Sequence, residues 1–163
     1  EYKEVIRRKT AMLFEAACRV SAIMADANEE QEKALAEYGH NLGIAFQMAD
    51  DLFDYTLQTS DFGKEVGADL REGKLTLPVI YALQQARSGD RDLMIKIIRD
   101  PDFSDSDFKL LTDLLEKYGG LDYTQKTAAS YIDTAKKALA VFDASPTKET
   151  MLDIADYALA RSQ

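Results

Sequence analysis

Between Gly43 and Asp54 the sequence reads Gly-Ile-Ala-Phe-Gln-Met-Ala-Asp-Asp-Leu-Phe-Asp, the stretch that most restricts what this chain can fold into. At 3.6 residues per turn, Gln47, Asp50, Asp51 and Asp54 fall within an arc of roughly 100°, while Ala45, Phe46, Met48, Ala49, Leu52 and Phe53 take the rest of the circumference. A helix that is apolar over most of its girth is normally buried, so the acidic stripe is expected to face an interior cleft. Such a stripe is costly. Asp is a weak mid-helix residue, and two carboxylates about 5 Å apart repel by roughly 3 kcal/mol at an effective dielectric near about 20.

A bound cation removes that penalty. The donors are hard oxygens with no Cys and no paired His beside them, which favours Mg2+ over zinc or copper. Mg2+ usually joins one or two carboxylates to the phosphate oxygens of a ligand, so the stripe reads as a metal and diphosphate site. A solvated acidic turn is the competing reading, and the apolar flanks count against it.

With 163 residues, 46% of them hydrophobic and 30% charged, the chain has room for one domain with a sizeable core, expected to span 1–163. Its net charge of −9 argues against nucleic acid and anionic membrane surfaces as partners, so an anionic ligand has to be captured locally. The single cysteine, Cys18, forms no intramolecular disulfide, which fits a reducing, cytoplasmic setting, and its neighbours Ala16, Ala17 and Val20 mark it as a small buried hydrophobe. No apolar run has the length of a membrane span. The sequence opens at Glu1, already inside a helical pattern, and is expected to be cut from a longer chain.

From Tyr2 to about Ala27, apolar residues at Leu13, Ala16, Ala17, Val20, Ile23 and Met24 recur at three- and four-residue steps, predicting one long amphipathic helix with that row towards the core. One turn before Leu13 the row reaches Lys9, which either snorkels outward or meets an anion. A second helix is predicted from Glu29 to about Leu57; on it, Gly39 and Gly43 permit close approach of another helix, and His40, the only histidine, reads as a hydrogen-bonded structural residue. Residues 58–76 carry Gly63-Lys64, Gly67 and Gly73-Lys74 and read as a binding loop; the spacing rules out a Walker A loop, because Leu75 stands where Ser or Thr is required.

Pro78 opens a helix to about Arg87, Ser88-Gly89-Asp90 breaks the chain, and a helix follows over 91–99. Ser104 and Asp107 resemble a capping box for a helix through Lys117, stopped at Gly119-Gly120. Helices over about 122–142 and 147–160 complete the chain. With no convincing strand, repeat or dividing linker, the expected fold is an all-α helical bundle.

Lys9-Thr10, Phe46-Gln47 followed by Asp50-Asp51-Leu52-Phe53-Asp54, Gly63-Lys64 and Gly73-Lys74-Leu75-Thr76-Leu77-Pro78 occur in the order found in trans-type polyprenyl diphosphate synthases, and the chain resembles the C-terminal portion of that family, with its second aspartate-rich motif. The resemblance implies an isoprenoid-synthase-like bundle, incomplete here, and head-to-tail condensation of isopentenyl diphosphate with an allylic diphosphate. In that chemistry diphosphate leaves a carbon that becomes positive, and Mg2+ and lysines neutralise the leaving group. It further implies Asp50, Asp51 and Asp54 as metal ligands, direct or through water, with Lys9 and Lys64 on the allylic diphosphate. Thr10 and Gln47 would turn oxygens towards the developing cation, Lys74 would serve the diphosphate or its loop, and the protein would be a homodimer. The departing diphosphate itself is the base in the family's scheme.

The family also carries a first aspartate-rich motif on an earlier helix, and these 163 residues hold no second acidic cluster of that kind. The chain by itself is therefore expected to bind Mg2+ and diphosphate weakly and not to turn over. A related terpene synthase and a non-catalytic partner subunit of a synthase are the alternative readings.

Overall fold

Apolar side chains at three- and four-residue steps yield helices throughout the computed structural model, which describes residues 1–56 and 67–160; no strand occurs among them. Two compact units emerge, Glu1–Ala49 with Lys126–Gln163, and Asp50–Gln125.

In the first unit the chain is helical from Tyr2 to Met24, in three pieces: α1 (Tyr2–Ile6), a π-helical turn (Arg7–Ala11) and α2 (Met12–Met24). The sequence predicts one unbroken helix here; the π turn adds a residue and resets the phase. The long helix α3 (Glu29–Thr56) follows. Gly39 and Gly43 do what their spacing suggests. A Cβ on Gly43 would stand 2.6 Å from the Ala11 Cα, and one on Gly39 would stand 2.9 Å from the Cys18 Sγ, so the backbones approach as only glycine allows.

That close approach corrects the predicted face of α2. The row Leu13, Ala16, Ala17, Val20, Ile23 and Met24 is exposed, Leu13 at 72% and Met24 at 81%. The covered row is Ala11, Phe14, Glu15, Cys18 and Ala22, which is less apolar but mostly small. Periodicity reports which side chains share a face and is silent about what covers it, and here backbone proximity selected the smaller row. Cys18 is only partly buried, short of the buried hydrophobe its neighbours suggest, because Ala16, Ala17 and Val20 face outward; its partial burial pushes the thiol up.

The rest of this unit comes from α8 (Gly120–Ala138) from Lys126 onward, a 3-10 turn (Leu139–Val141) and α9 (Pro146–Ala160). Ala128, Ile132, Ala135 and Leu139 are buried along α8 and its turn, and the Tyr38 hydroxyl donates to the Met151 carbonyl over 2.8 Å.

The second unit holds α4 (Ala68–Arg71), α5 (Leu77–Gln85), α6 (Ser88–Arg99) and α7 (Asp105–Lys117). Its core is Tyr55, Leu70, Val79, Ala82, Met94, Ile97, Phe103, Phe108, Leu111, Leu114 and Leu115. The Ser104–Asp107 capping box is formed, and Gly119 ends the following turn at φ 71°. Ser88-Gly89-Asp90 is a helix start and not a break. Ala86 and Arg87 are the extended residues, and Asp90 in the first turn of α6 suits the positive end of the helix while accepting from Lys117 and from the Tyr118 hydroxyl, both at 2.6 Å.

Candidate functional site

Lys9 and Thr10 both lie in the π turn, a rare irregularity that recurs at functional sites. The Thr10 hydroxyl donates to Gln47 Oε1 over 2.6 Å, and Gln47 is buried on α3. That bond commits the only proton of the hydroxyl, so Thr10 presents oxygen lone pairs to whatever else approaches it. The Phe14 and Phe46 rings, 5.5 Å apart, flank the same pairing of helices. Lys9 is exposed and shares the outward row of Leu13, which leaves its ammonium available to an anion. His40 Nδ1 lies 3.0 Å from a Glu15 carboxylate oxygen, the structural role its isolation suggests.

In the second unit the three aspartates occupy three different environments. Asp50 is exposed, Asp51 is buried and Asp54 lies between. Both Asp54 oxygens accept backbone amides, Ala68 N–H at 2.9 Å and Asp69 N–H at 3.1 Å. Burial pushes the Asp54 carboxyl above its ordinary range and the Asp69 carboxylate adds to it, while the two amides pull the other way. Asp69 in turn receives Lys74 Nζ at 3.0 Å, and Lys74 also pairs with Glu72. These two carboxylates, Glu72 foremost, hold the lysine above its ordinary range. The Tyr55 and Thr76 hydroxyls bond at 2.8 Å, and burial raises the Tyr55 phenol.

Thr10 and Gln47 are thus brought together, and Asp54 is joined to the turn that carries Asp69 and Lys74. Gly63 and Lys64 lie outside the described residues. Sequence reasoning missed α4 and its amides as the partners of Asp54. The signal was Ala68-Asp69-Leu70-Arg71, four residues without a breaker, set between Gly67 and Gly73.

The family model for polyprenyl synthetase matches residues 1–116, which contain every motif described above. The chain belongs to the polyprenyl synthetase family. Among relatives of this polyprenyl synthetase chain, the short chain isoprenyl diphosphate synthase of Methanothermobacter thermautotrophicus is 37% identical over 164 residues, covering 99% of this chain and 49% of that protein. The octaprenyl diphosphate synthase of Escherichia coli is 36% identical over 162 residues, covering 99% and 50%.

The decaprenyl diphosphate synthase of Rhodobacter capsulatus superposes with a TM-score of 0.89 at 42% identity, covering 99% of this chain and 50% of that one. A polyprenyl synthase of Caulobacter crescentus, complexed with calcium and isoprenyl diphosphate, gives 0.91 at 40% identity, with 99% and 49% covered. This polyprenyl synthetase chain spans about half the length of the curated relatives it matches.

The donor chemistry of the synthetase site suits a hard divalent cation. Among the described residues no three His, Cys, Asp or Glu side chains converge into a ready-made cage. No described helix is long and apolar enough to cross a membrane.

Proposed function

We propose that this chain supplies the second aspartate-rich part of a Mg2+-dependent prenyltransferase that condenses isopentenyl diphosphate head-to-tail with an allylic diphosphate. The observation that carries the reading is the Thr10–Gln47 hydrogen bond, which joins the lysine-threonine turn to the aspartate helix inside a chain of the polyprenyl synthetase family. Relatives named for isoprenyl, octaprenyl and decaprenyl diphosphates support the substrate class.

Asp50, Asp51 and Asp54 are the proposed metal ligands, with Lys9, Lys64 and Lys74 as diphosphate contacts. Mg2+, when bound, neutralises charge on the departing diphosphate. Lys9 adds positive charge from the π turn, and Thr10 presents its lone pairs towards the carbon that becomes positive, its proton being held by Gln47. Once the carbon–oxygen bond to diphosphate has broken, the double bond of isopentenyl diphosphate attacks that carbon, and the departed diphosphate takes up the proton that is lost. Of these lysines, Lys74 is paired with Asp69 and Glu72, so its contact with diphosphate is secondary to holding its loop. A homodimer, a cytoplasmic setting and a single synthase domain that includes these 163 residues belong to the same proposal.

The test is a chimera in which this chain replaces the matching half of the Escherichia coli octaprenyl diphosphate synthase, 36% identical over 162 residues. Incorporation of labelled isopentenyl diphosphate is expected to require Mg2+ and to be abolished by Asp50→Ala. A folded chimera with undiminished activity after Asp50→Ala would overturn the assignment.

A further inference from the structure

Phe103 and Phe108 lie outside every motif, yet the turn that caps Asp54 rests on them. Gly67, at φ 77°, lies close to the Phe108 ring, where an added Cβ would stand 2.6 Å from Cε2. Phe108 stacks on Tyr55 and on Phe103 with centroids 6.0 Å apart in each case. At the far end of the turn, the Arg71 guanidinium lies 4.1 Å above the Phe103 ring and donates from Nη1 to the Phe103 carbonyl at 3.3 Å. Leu70, between these anchors, is buried in the same cluster.

Ordinary core packing does not account for the arrangement. Helix α4 has four residues, too few to hold its own conformation, so the position of its first amides has to be imposed from outside. The Arg71 Nε is buried without a hydrogen-bond partner among the described residues, a cost that a methionine or leucine in the same place would not carry. What the guanidinium supplies in return is a planar group that both stacks and donates, which fixes the orientation of the turn and not only its depth.

We propose that Arg71, Phe103 and Phe108 are positioning residues for the Asp54 carboxylate: they seat residues 67–71 so that the Ala68 and Asp69 amides keep both Asp54 oxygens in place. The link from this carboxylate to metal and diphosphate rests on the function proposed above. The seating itself does not.

Amide hydrogen exchange on the 163-residue protein separates the two. In Arg71→Met and in Phe108→Leu, Ala68 and Asp69 are expected to lose about tenfold or more of their protection relative to Leu114 and Leu115 of α7, which report general loosening. Arg71→Lys is expected to behave like Arg71→Met, because an ammonium neither stacks as a plane nor forks. Protection at Ala68 and Asp69 that tracks α7 within about twofold in Arg71→Met overturns the proposal, as does full restoration by lysine. Should Phe108→Leu not fold, Arg71→Met decides alone. Titration with Mg2+ and inorganic diphosphate is read in parallel. Local loss of protection upholds the seating whether or not the protein binds either ligand, whereas binding with unchanged protection overturns the seating and leaves the proposed function standing.

Discussion

The Thr10 hydroxyl donates to Gln47 Oε1 across 2.6 Å, from a π turn to a buried position on the aspartate helix. Thr10→Val keeps the shape and removes the donor. Stability is expected to fall by about 1 kcal/mol in urea denaturation, because a buried acceptor loses a partner. In an active chimera the same change is expected to lower kcat more than it raises KM, since the oxygen acts where charge develops.

Exposure of the α2 row gives a second expectation. Leu13 is 72% exposed, so Leu13→Glu should alter the stability of the 163-residue protein by no more than about 0.5 kcal/mol. A core leucine would cost several times more. Thermal or urea unfolding of the single variant decides between the two faces of α2.

Gly43 and Gly89 form a contrasting pair. A Cβ at Gly43 meets the Ala11 backbone at 2.6 Å, and Gly43→Ala is expected to destabilise by about 1 to 3 kcal/mol through overpacking. Gly89 lies in the first turn of α6 with nothing within 4 Å of its Cβ position, and Gly89→Ala should be neutral or stabilising by up to about 1 kcal/mol. Equal effects at the two sites would refute the close approach of Ala11 to α3.

The capping box predicts a pH dependence. The Ser104 hydroxyl and amide both donate to the Asp107 carboxylate and hold its carboxyl below the ordinary range. A folded value below the unfolded one contributes stability that is present above about pH 4 and is lost as pH falls through the folded value. Asp107→Asn should therefore flatten that part of the acid unfolding curve. Ser104→Ala should cost about 1 kcal/mol at neutral pH.

Most helices were legible because their signals are local. The Ser104–Asp107 box, Pro78 and Gly119 mark ends that the structure reproduces. The pairing of Gly39 and Gly43 with another helix was legible for the same reason. The packed face of α2 was not, because a strong apolar row says nothing of its partner, and Ala11, Cys18 and Ala22, which are covered, belong to the less apolar row. Within the candidate site, residue types and order pointed to Asp54 and Lys74, but their contacts depend on a four-residue helix that sequence periodicity cannot register. The π turn was equally hidden, since Arg7-Arg8-Lys9-Thr10-Ala11 satisfies an ordinary helical pattern.

The most direct measurement is calorimetric titration of inorganic diphosphate into the 163-residue protein, with and without Mg2+, alongside Asp50→Ala. Saturable binding that requires both Mg2+ and Asp50 is the predicted result. Binding that persists without Mg2+ and is indifferent to Asp50→Ala would contradict the assignment of the aspartate helix to metal and diphosphate.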